Sequence, residues 1–539
     1  MSILGMLDIG KTALFANMRA LNVVSHNIAN ANTPGFSRQE AVLSTATPVS
    51  GRGGLLGRGV ALVGIRRHYE DYIQSQLLKQ YQNYGRSYSL LETYSRIEQI
   101  FNEAQNFGLS KSFNDYFNAW HEVATNPESQ PQRVVLLQSA NALVDSAKKM
   151  EQDLLNNIRY INEELDNLTA RINAIASNIA ALNDKILQIE AGGTGSANDF
   201  QDQRQNLLNE LSELVDYSTY EDDFGAITVM VGMRNLVYGV QASTLSTKLN
   251  GNGDKELFLD GMNITKNIEK GRIGGLLDAR DDIQNDIQTK FRRLIASMIK
   301  EINLVHRAGY GLDTSTNNDF FSPLGLSIRD FSDGANVTSS AITDYAQLTL
   351  DEYDITFDLA NNYYVTNRST GAVVSSGAYA SGNAITFEGI SITITGAVAP
   401  TDKFFVSPLT DAIRNFSVAI TDLKKVAASS SDTQLPANNE NAIAITRLSR
   451  NAIANLGGQS FGNYYRGIIA ETASFASTAR DSFSFEENLL MEISKRRESI
   501  SGVSLDEEAL NLIKFQRSYE ASAKMIKVTD ELLQTILNL

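Results

Sequence analysis

Four histidines, His26, His68, His121 and His306, are the first candidates for chemistry in this 539-residue chain. Two of them on one helical face could hold zinc, and an H-E-x-x-H run could hydrolyse with it. No two stand i, i+4, and none lies in such a run. His26, set among asparagines, fits a capping or interface role better than a catalytic one. Cysteine is absent, which removes disulfides, thiolate metal sites and thiol nucleophiles together. The glycine-rich runs "GRGGLLGRG" (51–59) and "GGTGSA" (192–197) match neither the phosphate loop nor the dinucleotide fingerprint and read as flexible turns. "NGNGDKE" (250–256) offers oxygen ligands without calcium-loop spacing and reads as a hairpin tip. The neighbours Glu507 and Glu508 read as a solvated helix face, not an acid/base pair. Nothing in the spacing points to a Ser-His-Asp triad. No cofactor, metal or small-molecule substrate is expected.

The bulk properties narrow the classes further. A net charge of −15 disfavours nucleic-acid backbones, whose binding rests on Lys and Arg. Residues 1–68 depart from this balance, with seven Lys/Arg against the two acids Asp8 and Glu40. No apolar run approaches the roughly 18 residues of a membrane span. "MSILGMLDIGKTALFANMRA" lacks a cationic start followed by an apolar block, so no ordinary secretory signal is expected. A hydrophobic share of 42% supports several cores, and the length suits about two to four domains.

With little chemistry to position, the elements themselves carry the information. Residues 1–30 read as a helix whose Leu7, Leu14, Leu21 and Ile28 recur every seven residues. Pro34 stops it, and Pro34-Gly35 fits the centre of a type II turn, while Asn27, Asn30, Asn32 and Thr33 suit capping and turning. Residues 40–68 look extended. Helical character returns near Tyr69. From Leu154 to Ile189 apolar residues alternate steps of four and three, the period of a coiled-coil seam about 50 Å long. Gly192-Gly193 ends it, and helices at 276–307 and 461–500 are its expected partners. "AITVMVGMRNLVYG" reads as a hairpin, and residues 349–408 as a compact antiparallel β domain. At the far end Leu505, Leu512, Tyr519, Ile526 and Leu533 lie seven apart. Ala509, Ala523 and Leu537 fill a companion seam that Gln516 and Asp530 interrupt. Each terminal helix is too thin to bury its stripe alone. The two are expected to pair with one another, with neighbouring subunits, or both, and to be disordered until a partner is available.

The stretch "ALNVVSHNIANANTPGFSRQ" resembles the N-terminal signature of the flagellar rod, hook and hook-associated axial proteins. "SGVSLDEEALNLIKFQRSYEASAKMIKVTDELLQTILNL" is similar to the matching C-terminal end, and "GRIGGLLDARDDI" with "EINLVHRAGYGLD" points to members at the hook–filament junction. The resemblance implies a mainly α fold with inserted β domains. Residues 1–68 and 501–539 would be the two halves of an inner coiled-coil assembly domain. Residues 69–310 and 411–500 would form a helical bundle rod with a β-hairpin near 220–260, and 311–410 an outer antiparallel β domain. It implies a non-enzymatic subunit exported from the cell without a cleaved signal peptide and polymerised outside it. Its partners would be copies of itself, hook protein, hook-associated protein 3 and an export chaperone on the C-terminal helix, with no nucleic acid and no membrane. The assembly interface would comprise Leu7, Leu14, Leu21, Ile28, Leu505, Leu512, Tyr519, Ile526 and Leu533. The Asn27–Gly35 turn would lead the chain out of the inner tube. Another axial protein, such as hook-associated protein 3, flagellin or a hook component, stays open as an alternative.

Overall fold

The computed structural model describes residues 3–51, 54–103, 108–191 and 196–537. The described residues form ten α-helices: α1 Ile3–Ala29, α2 Asp71–Ile100, α3 Leu109–Thr125, α4 Gln130–Ala191, α5 Asn198–Leu214, α6 Gly271–Asp282, α7 Thr289–Ala308, α8 Glu440–Leu448, α9 Phe461–Ser501 and α10 Leu505–Leu537. A π-helical segment, Ile283–Gln288, joins α6 to α7. The chain divides into two compact units. The first comprises Met1–Leu91, Ile161–Leu277 and Ala479–Leu539, and the second Glu92–Tyr160 and Asp278–Thr478.

In the first unit, α1 leads into an antiparallel pair, β1 (Gln39–Thr45) with β4 (Val60–Arg67), whose loop carries the short strands β2 (Val49–Gly51) and β3 (Gly54–Leu56). The run at 51–59 is more than a flexible turn. At Gly59 (φ +92°) a Cβ would stand 2.3 Å from Thr12 Oγ1 and 3.3 Å from Ile9 Cα, so only glycine lets the loop close on α1. Arg52, Gly53 and Gly192-Gly193 lie outside the described residues.

Where one hairpin is expected near 220–260, the chain builds seven strands. β5 (Ser218–Glu221), β6 (Ile227–Val231), β7 (Arg234–Tyr238) and β8 (Gln241–Ala242) form a four-stranded meander. β9 (Leu245–Leu249), β10 (Lys255–Leu259) and β11 (Met262–Asn263) form a three-stranded one. "NGNGDKE" is the β9–β10 turn.

The heptad stripe of α4 is buried from Leu154 to Ile186, but helices are not its only partners. In the first unit three asparagines on α4 bind strand ends through their amides. Asn162 accepts from Lys255 N at 3.0 Å and donates to Gly253 O at 3.1 Å. Asn173 makes two 2.8 Å bonds to the Leu245 backbone. Asn183 donates to Ile227 O and Gly239 O at 2.8 and 2.7 Å. Each side chain closes backbone groups that a sheet end leaves open, so the helix serves as the spine of both sheets. In the second unit the helices expected to cover the Leu154–Ile189 seam meet α4 just ahead of it. Glu151 pairs with Arg292 of α7 at 2.8 Å, and Tyr465 of α9 packs on Met150.

The second unit also carries the β domain. Its larger sheet has the order β12 (Ser327–Asp330), β19 (Lys403–Ser407), β14 (Tyr353–Phe357), β15 (Asn362–Asn367), β16 (Val373–Ala378). The smaller has β13 (Ala335–Ile342), β18 (Ile390–Gly396), β17 (Ala384–Phe387). Alternating inward residues meet between the sheets, with the Tyr353 and Phe387 rings 4.9 Å apart. β12 and β13 fall within the 311–410 domain but precede the 349–408 stretch read as strands from its residues, because "SIRDFSDGANVTSSAI" has fewer of the aromatic and branched residues that announce a strand. His306 lies deep in this unit. Its Nδ1 is 2.7 Å from Asn318 O, its Nε2 accepts from Ala427 N at 2.9 Å, and burial pushes its pKa down to about 4.

Candidate functional site: the meeting of the two chain ends

The helices α1 and α10 pack antiparallel. Gly10 faces Ile526, Asn17 Nδ2 donates to Ser522 Oγ at 3.5 Å, and Asn27 reaches Glu508. Close approach explains the residue types at the seam. A Cβ on Gly10 would stand 2.9 Å from Ile526 Cγ1. Ala16, Ala20, Val23, Val24 and Asn27 continue the buried line on α1, and Glu508, Ser522 and Thr529 do so on α10. The heptad residues Leu7, Leu14, Leu21, Ile28, Leu512, Tyr519, Ile526 and Leu533 flank this line half-buried, and Leu505 is exposed. The companion seam on α10 is therefore Glu508, Phe515, Ser522 and Thr529, one residue earlier than the Ala509-based seam read from sequence. Ala509, Gln516 and Asp530 face solvent. Large side chains lie on the outside: Leu4, Phe15 and Met18 on α1, and Leu510, Ile513, Met525, Val528, Leu532 and Ile536 on α10.

The seam ends in a polar latch. The Glu508 side chain is only 2% exposed, which corrects its reading as part of a solvated face. Its Oε1 accepts from Arg38 Nε at 2.8 Å and its Oε2 from Asn27 Nδ2 at 3.1 Å. Glu507, which does face solvent, meets Arg38 Nη1 at 3.0 Å. Asn27 also donates to Gln39 O at 2.8 Å and accepts from Gln39 N at 3.0 Å. One buried carboxylate thus joins the end of α1, the start of β1 and the first turn of α10. Charge-assisted bonds of this kind are about twice as strong as neutral ones.

Between Asn27 and Arg38 the chain reverses. α1 ends at Ala29, before the proline, where Asn30 N and Nδ2 both donate to His26 O. Thr33 Oγ1 donates to Asn30 Oδ1 at 3.1 Å, and Asn32 is exposed. Phe36 N donates to Thr33 O at 3.2 Å with Gly35 at φ +78°, a type II turn with Pro34 and Gly35 at its centre. Pro34 therefore shapes the exit, while Asn30 ends the helix. Gly35 is sterically required: a Cβ there would lie 1.8 Å from Asn206 Oδ1. Asn206 Nδ2 donates to Pro34 O at 3.2 Å, Arg497 to Gly35 O at 3.0 Å, and Ser37 N to Asp202 Oδ2 at 2.8 Å. A cleft of about 580 Å³ opens beside the turn among Tyr81, Arg171, Glu210 and Arg497.

His26 has its Nε2 3.3 Å from Asp199 and its ring edge-on to Phe36. Arg67 pairs with Asp202 at 2.8 Å and lies over the Tyr69 ring, whose phenol burial pushes up to about 12 against the opposing Arg67 charge. Arg38, Asp199, Asp202, Asn206, Arg497 and Glu508 escaped sequence reading. Only the position of Glu508 one step off the heptad could have signalled the latch. Among the described residues no group of three His, Cys, Asp or Glu gathers as a metal site, and no helix is long and apolar enough to cross a membrane.

Comparison with known proteins falls on this same architecture. Family models match four stretches: "Flagella basal body rod protein" over residues 7–36, "Flagellar hook-associated protein FlgK helical domain" over 94–321, "Flagellar hook-associated protein 1, D2-like domain" over 329–408, and "Flagellar basal body rod FlgEFG protein C-terminal" over 497–539. The chain is 28% identical to flagellar hook-associated protein 1 of Escherichia coli over 98% of both chains. It is 25% identical to the Bacillus subtilis protein of that name over 99% of this chain and 97% of the relative. The solved flagellar hook junction protein FlgK of Burkholderia pseudomallei superposes with a TM-score of 0.69 at 17% identity, covering 79% of this chain and all of that one. The two rod-protein matches end on the helices that the latch joins. The chain belongs to the flagellar hook-associated protein 1 family.

Proposed function

We propose that the chain is a structural subunit of the bacterial flagellum that joins hook to filament, polymerising through α1 and α10. The observation that carries the reading is the row of large apolar side chains that this helix pair leaves exposed beside a seam lined in large part by small residues. A hairpin built to stand alone would place them the other way round. Neighbouring subunits would cover Leu4, Phe15, Met18, Leu510, Ile513 and Val528. Leu7, Leu14, Leu21, Ile28, Leu505, Leu512, Tyr519, Ile526 and Leu533 would complete the interface. The turn through Asn27, Asn30, Asn32, Thr33, Pro34 and Gly35 would carry the chain away from the paired helices. Hook protein and hook-associated protein 3 would flank the subunit, and an export chaperone would shield α10 before assembly. The subunit would act outside the cell, leaving without a cleaved signal peptide, and by binding rather than catalysis.

Removing residues 505–539 tests this. The remaining chain should keep the sheets and the second unit folded, by circular dichroism, yet build no filaments in cells lacking the full-length copy. Filaments of normal length on the truncated chain would refute the proposal. Immunogold labelling separates it from the alternative of another axial protein. A single band at the hook's end is expected, and label along the whole filament would favour flagellin.

A further inference from the structure

We propose that Glu508 sets the register in which α10 pairs with α1. Its bearing on assembly rests on the reading above, but the geometry stands by itself. Seven-residue repeats tolerate slips of seven, because the stripe returns to the same face, and a buried polar residue is the usual device against them. Consider α10 advanced so that each residue gives way to the one seven further on. Gly10 then faces Leu533 instead of Ile526, and Asn17 faces Thr529 instead of Ser522. These exchanges keep size and polarity. Ser522 in place of the half-buried Phe515 is a modest loss. The seven residues leaving the pair lengthen the short connector after α9, so the chain can follow. The opposite slip would force Tyr519 into the space that Gly10 leaves for Ile526.

At the latch the advanced register fails outright. Phe515 would stand where Glu508 accepts from both Asn27 and Arg38. A buried amide donor and a largely buried guanidinium would lose their shared acceptor together, and the apolar ring offers nothing in return. The seam is permissive at Gly10 and Asn17, and the selective position is the latch, where Glu508, with Glu507 beside it, meets Arg38.

The absence of native cysteine makes the test clean. Asn17→Cys combined with Ser522→Cys reports the observed register, and Asn17→Cys combined with Thr529→Cys reports the advanced one. Both are oxidised in dilute full-length chain and read on non-reducing gels. With Glu508 present only the first pair should cross-link. With Glu508→Leu the second should appear and the first decline. Glu508→Gln, which keeps an acceptor for Asn27 in the same shape, should stay close to the parent pattern. Exclusive cross-linking of the first pair in Glu508→Leu would overturn the proposal. So would loss of both pairs, which would make the latch a plain stabiliser, or absence of the first cross-link in the parent. Because the free chain is read, none of these outcomes decides whether the protein assembles in the flagellum.

Discussion

Replacing Asn27 with alanine isolates the energy held in the latch. The side chain is 1% exposed and makes three hydrogen bonds, two with the Gln39 backbone and one with the Glu508 carboxylate. At about 1 kcal/mol for each neutral bond and about 1.5–3 for the charged one, the loss comes to about 4 kcal/mol. The Gln39 amide is the natural reporter, because Asn27 Oδ1 is its acceptor. At about 1.4 kcal/mol per decade, its hydrogen exchange should accelerate by up to roughly a thousandfold. Mass spectrometry of peptides spanning 36–45 reads this directly, while peptides from the 353–407 β domain should not change. Asn27→Asp sharpens the argument. It keeps the acceptor for Gln39 N but sets a carboxylate against Glu508 and Gln39 O, so at neutral pH it should cost at least as much as alanine. Exchange at Gln39 within about threefold of the parent in Asn27→Ala would refute the assigned energetics.

His306 predicts a pH dependence in the second unit. Its folded pKa of about 4 lies below the ordinary 6.5, so the unfolded chain takes up a proton that the folded one refuses. The stabilisation is complete above pH 6.5 and is lost as pH falls towards 4, amounting to about 3 kcal/mol. Urea titrations of His306→Gln should show a shallower loss across that window than the parent, and equal slopes would contradict the assignment. At Gly35, alanine meets both left-handed backbone strain and Asn206, so a cost of about 2 kcal/mol or more is expected in urea melts of the first unit. Adding Asn206→Ala should recover the part due to collision and leave about 1 kcal/mol of strain; full recovery would show that the backbone conformation costs nothing there.

The parts of this fold legible in sequence are those written as spacing. The α4 stripe, the Thr33–Phe36 turn and the two terminal heptads announce themselves through periodicity or through the fixed demands of proline and glycine. What the stripe packs against was not legible, because a heptad specifies a straight apolar line and says nothing of its cover. Asn162, Asn173 and Asn183 look like ordinary polar positions until strand ends arrive beside them. The Glu508 misreading has a sharper cause. Two seams fit the spacing of α10, one through Ala509 and one through Glu508, and sorting by polarity chooses the alanine. The carboxylate wins because Asn27 and Arg38, some 480 residues away in sequence, satisfy it. Buried charge is invisible to any rule that treats a helix without its partner.

The same sorting decides what the helix pair can do. The inner seam of Gly10, Ala16, Ala20, Ser522 and Thr529 brings the backbones together, while Val23, Val24 and the heptad residues beside it are covered wholly or in part. Among the described residues of the two helices, eleven large apolar side chains, Met6 and Leu505 among them, stay on the outside, each worth about 1.5–3 kcal/mol if covered. In the proposed assembly the pair would be held by its latch at one end and would gain stability from neighbouring copies. Such an element would be compliant while single and rigid once enclosed. Stiffness would then arise from polymerisation, where a joint between hook and filament requires it.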